Sequence, residues 1–218
     1  MTFRHELLEQ YDIEQVTNDD GRYYLRNGEK YTSVTTYLGD LLDTKKSIDK
    51  WKDRVGAQEA NRISSQAAKR GTVVHELCEN YLLNQESVDN VMPIHREAFS
   101  KIKPILDENV SVVRGIELPL FSTKYKLAGM TDLFCSWKSA NCIVDFKTSR
   151  KPKKLEWITG YLFQSAIYGE MIEELYGIPV HGIVVIIAVD HNDIQVFKKP
   201  RKPIIEQFEE MRAKKEGV

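Results

Sequence analysis

The sequence predicts a mixed α/β (α+β) fold in which helices cover the faces of a central mixed β-sheet. Residues 128–149 contain two apolar strands around a polar turn, and residues 180–189 form a continuous β-branched run typical of a buried strand. Residues 155–176 have the pattern of a helix that ends at Gly177. Because a helix separates these strands, we expect a right-handed crossover and parallel pairing of the strands that flank it.

Length and composition are those of a globular protein, and we expect residues 1–218 to form one domain. The chain of 218 residues is long enough for one well-buried core and short for two. Its net charge of −1 provides no overall attraction to nucleic acid, so any such binding must use local basic patches. The three cysteines contain no CxxC pair, which argues against a disulfide framework and predicts a reducing compartment.

Missing motifs narrow the functional classes further. The N-terminal segment carries acidic residues early and has no long apolar run, which argues against a signal or transit peptide. No stretch approaches the roughly 18 apolar residues of a membrane span. A Walker A loop, a dinucleotide-binding glycine-rich turn and a G-x-S-x-G elbow are also missing from the sequence. We therefore expect a cytoplasmic protein without membrane association and without a nucleotide cofactor.

The first 31 residues predict a short hairpin. Asn18-Asp19-Asp20-Gly21 is a turn signal, and Asn27-Gly28 marks a second turn. The following segment offers Thr32 and Ser33 as N-cap residues of a helix. A capped helix start is the simplest interpretation of these two hydroxyl side chains.

Residues 32–109 form a predicted helical region. Residues 46–84 have the pattern of two helices, the second from about Ser64 to Leu83, and a further helix is expected from about His95 to Leu106. His75 lies on the inner face of the second helix. A lone helical histidine is more often a core or surface residue than a metal ligand, so His75 alone indicates no function.

The hairpin at residues 128–149 brings charged side chains together. If the turn is Lys138-Ser139-Ala140-Asn141, Asp132 lies opposite Lys147, and Asp145 projects from the same face. The opposite face is apolar and suits a core: Leu133, Cys135, Val144 and Phe146. Two carboxylates and an ammonium on one face indicate a metal site with a catalytic lysine, provided that the turn has this register.

A third carboxylate is expected near this site. Residues 110–120 predict a strand, and a turn at residues 122–125 would pair Glu117 with Met130 on the face of Asp132. The alternative interpretation is a glutamate on an edge strand that faces water. The spacing does not decide between them.

The densest basic segment follows the hairpin directly. It is Thr148-Ser149-Arg150-Lys151-Pro152-Lys153-Lys154, and a second basic run covers residues 198–203 before a C-terminal amphipathic helix. A solvated charged loop is the usual explanation of such a run. Beside a metal site, contact with phosphate becomes the stronger interpretation.

Metal chemistry on a phosphodiester accounts for this set of residues. Hard divalent cations prefer carboxylate oxygens, and Mg²⁺ bridges carboxylates to substrate phosphates. A bound cation lowers the pKa of its water toward about 7 and shields charge that develops on phosphate. Lys147 beside the cation would orient the attacking hydroxide or stabilise the transition state.

The motifs together resemble the PD-(D/E)XK nuclease superfamily in its RecB-like exonuclease form. The core of the resemblance is Gly129-x-x-Asp132, Asp145-Phe146-Lys147-Thr148-Ser149 and Gln164-x-x-x-Tyr168. Arg70–His75 resembles the helix that supplies this group's histidine ligand. Ser33-Val34-Thr35 with Trp51 downstream resembles the N-terminal part of the mitochondrial genome-maintenance exonucleases and their phage relatives. Each motif is weak alone, but five in the right order between about residues 31 and 176 are specific together.

The resemblance implies a restriction-endonuclease-like core, with the helices of residues 40–70 as an arch over the substrate strand. It implies metal ligands at His75, Asp132, Asp145 and the carbonyl of Phe146; strand pairing adds Glu117. The implied catalytic residues are Asp132, Asp145 and Lys147, with Gln164 and Tyr168 to touch the substrate or brace the site. The candidate DNA-binding residues are Ser33, Thr35, Arg70, Thr148, Ser149, Arg150, Lys151, Lys153 and Lys154.

The leading hypothesis is a Mg²⁺- or Mn²⁺-dependent deoxyribonuclease that acts as an exonuclease on single-stranded DNA or frayed ends. A structure-specific flap or junction endonuclease is the second hypothesis. The third is a non-catalytic nucleic-acid-binding adaptor, which the paired carboxylates disfavour because they repel phosphate. The cysteines that hold an iron–sulfur cluster in some relatives are missing, so we expect no cluster. Any helicase or replication or recombination partner would be a separate protein, and a phage or bacterial source is expected.

Overall fold

The computed structural model describes residues 2–18, 21–85, 88–191 and 193–217. Over these residues the chain forms nine strands, six α-helices and one short 3₁₀ helix at Leu155–Trp157. The strands are β1 (Arg4–His5), β2 (Glu14–Asn18), β3 (Gly21–Arg26), β4 (Glu29–Ser33), β5 (Val110–Ser122), β6 (Leu127–Trp137), β7 (Ala140–Ser149), β8 (Gly182–Val189) and β9 (Gln195–Pro200). The helices are α1 (Val34–Leu41), α2 (Thr44–Val55), α3 (Ala57–Leu82), α4 (Pro93–Asn109), α5 (Thr159–Tyr176) and α6 (Arg201–Glu216).

All nine strands belong to one mixed sheet. Its main path is β2-β3-β4-β6-β7-β8-β9, and β5 pairs with both β1 and β6. Strands β7 and β8 are parallel and are connected by α5, which confirms the crossover predicted from the sequence. The prediction of a central mixed sheet flanked by helices is confirmed.

Helices cover both faces of this sheet because both faces are apolar. The face that carries Phe134 and Ile143 packs against α1, α5 and α6. The other face carries the side chains that the hairpin pattern predicted as core: Leu133, Cys135, Val144 and Phe146. These pack against α3 and α4, so the predicted alternation of β6 and β7 is confirmed.

The β6–β7 turn is tighter than the sequence suggested. Trp137 pairs with Ala140, so the turn is the two-residue Lys138-Ser139 and the predicted four-residue turn is wrong. Lys138 takes a left-handed φ of 57°, a conformation that a lysine gives no reason to expect. The register differs by two residues, an even number, so each side chain stays on its predicted face.

The β5–β6 register also differs from the prediction by two residues. Met130 pairs with Pro119 rather than with Glu117, and the ladder continues to Ser122–Leu127. Continuing the pairing of Leu118 with Thr131 by one residue brings Glu117 opposite Asp132. The predicted turn fails because the strands extend further and leave the connection at residues 123–126.

Some helices begin at other residues than the sequence predicted, because a glycine or a proline determines where the helix starts. The second predicted helix begins at Ala57 rather than near Ser64, because Gly56, with a φ of 85°, separates it from α2. Helix α4 begins at Pro93, a favoured first position, and accommodates Pro104 in its interior. Ser33 is the N-cap residue of α1, while Thr32 lies in β4.

Two remaining expectations concern the first predicted turn and the lack of a membrane span. The turn predicted at Asn18-Asp19-Asp20-Gly21 joins β2 to β3, but Asp19 and Asp20 lie outside the described residues. Within the described ranges, every helix is too short or too polar to serve as a membrane span.

Candidate active site

The candidate site lies at an opening in the sheet. One edge of β6 pairs with β4 at Leu127 and Ala128, and the same edge pairs with β7 from Leu133 to Trp137. Residues 129–132 therefore lie between the two ladders. Asp132 uses its carboxylate in place of a backbone partner, since its Oδ2 accepts the N–H of Phe146 at 2.7 Å. The sheet thus presents a carboxylate, not a closed ladder, at this point.

Helix α3 closes one side of the opening with His75. Its Nε2 lies 2.6 Å from the carbonyl oxygen of Phe146, and its Nδ1 lies 3.6 Å from Asp132 Oδ2. Gly71, one turn earlier, faces β7, and a Cβ there would lie in ordinary contact with Thr148 Oγ1 at 4.0 Å. His75, Asp132 and Phe146 are therefore brought together as the resemblance implied.

Glu117 completes a group of metal-type ligands with His75 and Asp132. One ligand atom from each of these three residues lies within 4.8 Å of the others. The edge-strand alternative, in which Glu117 faces open water, is thus not what the fold shows. Glu117 has a left-handed φ of 44° although it lies within β5, which costs on the order of 1–3 kcal/mol. Burial, followed by the negative charges of Asp132 and Glu79, raises the pKa of Glu117 to about 7.

This group opens into a cleft of about 420 Å³. The cleft is lined by Gly71, Thr72, His75, Glu76, Glu79 and Glu117. Glu79 lines the cleft and was not among the site residues predicted from the sequence. Its spacing of four from His75 on α3 was the available signal. The cleft therefore has an acidic wall suited to a cation.

Asp145 and Lys147 form the second part of the site, on β7. Lys147 Nζ donates to Asp145 Oδ1 at 2.5 Å. Burial raises the pKa of the Asp145 carboxyl to about 6, although the Lys147 ammonium acts in the opposite direction. Burial acts to lower the pKa of Lys147, but the carboxylates of Asp145 and Asp132 more than offset it, so its pKa is raised. Lys147 is therefore held as an ammonium beside a buried carboxylate.

The second oxygen of Asp145 tests whether the residues of this site fit a cation. Asp145 Oδ2 is buried and has no hydrogen-bond partner in the structure. A buried carboxylate oxygen without a partner is unfavourable unless another group compensates it. A divalent cation beside Asp132 and Asp145 would provide that compensation, so the donor set fits a hard metal ion.

Tyr161 belongs to the site and was missed in the sequence. The ammonium of Lys147 lies 5.2 Å from the centre of the Tyr161 ring. Tyr161, Gln164 and Tyr168 have the spacing of one helix face on α5, so the i, i+3, i+7 pattern could have revealed it. Tyr161 limits the positions that the Lys147 side chain can adopt.

Gln164 and Tyr168 lie behind the opening in the sheet. Tyr168 is buried, and a side-chain hydrogen bond links it to Gln164. A Cβ on Gly129 would lie 2.4 Å from the Tyr168 hydroxyl, so the glycine of the Gly129-x-x-Asp132 motif makes room for this ring. Burial therefore favours the bracing role for Tyr168 over direct contact with substrate.

The structure does not bring Ser33 and Thr35 to the carboxylates. Ser33 pairs with Ala128, four residues before Asp132 along β6, which corresponds to about 13 Å. Its buried hydroxyl forms a hydrogen bond of 2.9 Å with the hydroxyl of Thr35. Thr35 itself is exposed at the start of α1. Ser33 thus positions the chain locally and has no free surface for DNA.

Arg70 and the start of the basic segment are partly engaged within the protein. Arg70 Nη1 lies 2.5 Å from Asp190 Oδ2. The buried hydroxyl of Ser149 donates to the carbonyl of Lys151 and fixes the exit from β7. Thr148 is half-buried beside Gly71. These residues shape the wall of the site more than they offer free cations.

The cations that follow are mostly exposed. Arg150, Lys151 and Lys154 face solvent, whereas Lys153 is half-buried and its backbone is bonded to the Gln195 side chain. Arg150 and Arg70 line one cleft of about 400 Å³, together with Lys69 and His95. This cationic cleft and the acidic cleft lie at neighbouring stretches of α3, so positive charge is available next to the metal-type ligands.

Comparison with known proteins gives one significant relationship at the sequence level, while no family model matches the chain. Mitochondrial genome maintenance exonuclease 1 of Mus musculus is 27% identical over 130 residues, which cover 56% of this chain and 38% of that protein. The chain is thus similar to an exonuclease over part of its length, in keeping with the resemblance of its motifs to the PD-(D/E)XK nucleases. The match spans about two fifths of the length of the mouse protein.

Two solved structures are also similar to this chain. One is a protein of Eubacterium rectale described as a candidate exonuclease, with a TM-score of 0.44, 12% identity and 68% coverage of both chains. The other is SSO0001, with a TM-score of 0.35 and 13% identity over 76% of this chain and 69% of that one. At such low scores neither structure defines the fold, which is established by the strand order of the chain itself.

Proposed function

We propose that this protein is a Mg²⁺- or Mn²⁺-dependent deoxyribonuclease, and specifically an exonuclease acting on single-stranded DNA or at DNA ends. The observation that carries the proposal is the buried, unpartnered Oδ2 of Asp145, next to Asp132 and Lys147 at an opening in the sheet. This arrangement suits a cation between two carboxylates with a lysine at its side. The sequence relationship to an exonuclease supports the same chemistry.

The metal would be held by Asp132 with His75 and Glu117, whose ligand atoms lie within 4.8 Å of one another, and Asp145 and the carbonyl of Phe146 would be the further donors. These are oxygen donors with one imidazole, a set suited to Mg²⁺ or Mn²⁺. When bound, such a cation supplies an acidified water and neutralises charge on the phosphate. Burial is the main cause of the raised pKa of Glu117. A cation nearby would act in the opposite direction, lowering this pKa and favouring the ionised carboxylate.

Lys147 would act on the reacting phosphate as a fixed positive charge. Its ammonium is placed by Asp145 at 2.5 Å and by the Tyr161 ring at 5.2 Å, so little reorganisation is needed when a substrate arrives. A preorganised cation stabilises the charge that develops in the transition state more than the charge of the ground state. Asp145 would thus have two tasks: one oxygen orients Lys147 and the other faces the metal.

The substrate backbone would approach along the cationic cleft beside Arg150 and Lys69. Helix α2 adds further positive charge, since it has no buried residue and carries five basic side chains against two acidic ones. The basic residues of α2 are Lys45, Lys46, Lys50, Lys52 and Arg54. Single strands need only such a backbone-tracking surface and access to the bases, and no groove-sized opening.

The proposal is tested with 5′- and 3′-labelled single-stranded, duplex, flap and circular DNA, each with Mg²⁺, with Mn²⁺ and with EDTA. We expect release of short products from one end of linear single strands, only when the metal is present. Closed single-stranded circles should remain intact. Cleavage of circles or selective cutting at flaps would replace the exonuclease by an endonuclease of the same chemistry. Metal-independent binding without any cleavage would reduce the protein to an adaptor.

A further inference from the structure

An exposed tryptophan lies in the basic segment, and the proposed chemistry gives it no role. The Trp157 side chain is 58% exposed, the highest exposure among the aromatic residues of the described chain. Trp137, by contrast, is buried. Leu155, two residues away, is also exposed at 42%. An exposed ring beside a second exposed apolar side chain offers a surface that a ligand can cover.

The ring is presented on a well-defined turn. The N–H of Trp157 donates to the carbonyl of Lys154 at 3.0 Å, and that of Ile158 donates to Leu155 at 3.2 Å. Ile158 is fully buried in the core and anchors the end of this 3₁₀ turn. The backbone is fixed before and after Trp157. Binding of a partner to the ring would therefore cost little conformational entropy of the protein backbone.

The turn leads into the helix that contributes Tyr161 to the candidate active site. Trp157 ends the 3₁₀ turn, Ile158 separates it from α5, and Tyr161 in the first turn of α5 contacts the ammonium of Lys147. A Cβ on Gly160 would lie 3.4 Å from Leu42, so the corner between α1 and α2 packs against the same region. The turn that carries the exposed ring therefore precedes directly the helix start that contacts Lys147 and Leu42.

The charges around the ring favour a polyanion over an apolar partner. Lys154 Nζ lies 5.3 Å from the Trp157 ring centre. Lys151 and Arg150 are exposed just before it, and Glu156 is the acidic residue of the turn, 4.0 Å from Lys154. Cations flanking a flat apolar surface are suited to a strand whose phosphates carry negative charge and whose bases have π faces.

We propose that Trp157 is a base-stacking platform for single-stranded nucleic acid, with Lys154 and Lys151 holding the adjacent phosphates. This inference deepens the proposed nuclease function, on which its biological role rests. A duplex keeps its bases stacked on one another and offers the ring no face, whereas a single strand offers one at every nucleotide. The platform therefore provides a physical reason for single-strand preference at this site.

The test measures binding in EDTA, where no cleavage is expected, by fluorescence anisotropy of two labelled strands of equal length. One strand is oligo-dT, and the other consists of abasic sugar–phosphate units with the same charge. One base stack on an aromatic ring is worth about a tenfold change in affinity. We expect Trp157→Ala to weaken oligo-dT binding about tenfold and to leave the abasic strand nearly unchanged, while Trp157→Phe retains most of the affinity.

Leu155→Ala is the matched control, since it removes an exposed apolar side chain from the same turn, and it should bind both strands as the parent does. Equal weakening of both strands by Trp157→Ala would overturn the platform and assign the ring a general role in the fold. Unchanged affinity for oligo-dT would also overturn it and leave the ring to a protein partner. Because the readout is binding, a protein that stacks bases but cleaves no DNA would refute the nuclease and keep the platform.

Discussion

The β6–β7 hairpin and the basic loop that follows it (residues 150–157) are neighbours in the chain, but their side chains are held in opposite ways. In the hairpin, Asp145 is buried and fixed by Lys147 at 2.5 Å. In the loop, Lys154 is exposed and lies 4.0 Å from Glu156, a surface pair worth about 0–1 kcal/mol. Groups in the hairpin cannot move without leaving a charge buried, whereas those in the loop can adapt to a ligand. We therefore expect single substitutions in the hairpin to have large effects on cleavage, metal binding or stability. Substitutions in the loop should have small, additive and salt-sensitive effects on DNA binding.

Lys147→Ala is expected to cause the largest change, a loss of DNA cleavage. Removal of one preorganised group that stabilises a transition state costs on the order of 10²–10³ in kcat. Single-stranded DNA binding should stay within about twofold, because the side chain is only a minor part of the exposed positive surface. Cleavage of labelled single strands with Mn²⁺ and binding by anisotropy measure the two effects.

Lys202→Ala on α6 is the matched control for that variant, because it removes an exposed lysine far along the chain. It should cleave at the parental rate. Full activity of Lys147→Ala would remove Lys147 from the mechanism, and loss of binding in parallel with activity would make it a substrate-binding residue instead.

Asp145→Asn is expected to weaken metal binding by at least about tenfold. The neutral amide removes the charge that faces the proposed cation, and it leaves Lys147 without its carboxylate partner. Titration calorimetry with Mn²⁺ measures the affinity directly. An unchanged affinity would contradict the assignment of Asp145 as a ligand, even if activity were lost.

Gly129→Ala tests the packing that supports the hairpin. The new Cβ would lie 2.4 Å from the Tyr168 hydroxyl and 2.8 Å from Cε1, so the buried ring must shift. Overpacking of this kind lowers the free energy of unfolding by about 1–3 kcal/mol. Gly39→Ala is the control, since its Cβ would meet nothing nearer than 3.5 Å and a helical alanine is favourable. Urea unfolding distinguishes them, and equal stability of the two variants would refute the tight contact.

The pH dependence of the metal-free protein tests the burial of Glu117. The folded pKa of about 7, raised chiefly by burial, lies above the unfolded value of 4.5. The folded state then binds more protons between these values, so the free energy of unfolding falls as the pH rises through this window. Glu117→Gln should reduce that slope and raise Tm by a few degrees above pH 7. A slope identical to that of the parent protein would show that Glu117 does not titrate in this way.

The fold was accessible from the sequence where periodicity and buried runs are strong. The faces of Leu133 and Val144 and the parallel pairing of β7 with β8 follow from alternation and from the crossover rule. The β6–β7 register was wrong by two residues because Lys138 adopts a left-handed conformation that its residue type does not predict. The β5–β6 register was wrong by two residues because these strands extend to Ser122 and Leu127. The error was harmless for the faces, since an even shift preserves them.

The candidate site was less accessible because it depends on long-range packing. His75 is 57 residues from Asp132 in the chain, and only the packing of α3 against β7 and β5 brings them to 3.6 Å. The family resemblance predicted His75 as a metal ligand. The position of Glu117 depended on the β5–β6 register, which the sequence does not determine. Tyr161 and Glu79 were recognisable only as spacings on helix faces, and Ser33 was misjudged because its burial depends on β4 joining β6.

Substitutions in the basic loop are expected to have the smallest effects, and these effects concern the salt dependence of DNA binding. Each lost phosphate contact lowers the slope of log affinity against log salt by about 0.7 for a single strand. Lys151→Ala and Lys154→Ala should each reduce the slope by this amount, and the double variant by about twice as much, because exposed cations act independently. Lys153→Ala should change it less, since this residue is half-buried and its backbone is tied to Gln195. Anisotropy at several salt concentrations in EDTA measures the slopes. If all three variants kept the parental slope, the loop would be only a solvated surface, and the phosphates would have to be held by α2 and the cleft beside Arg150.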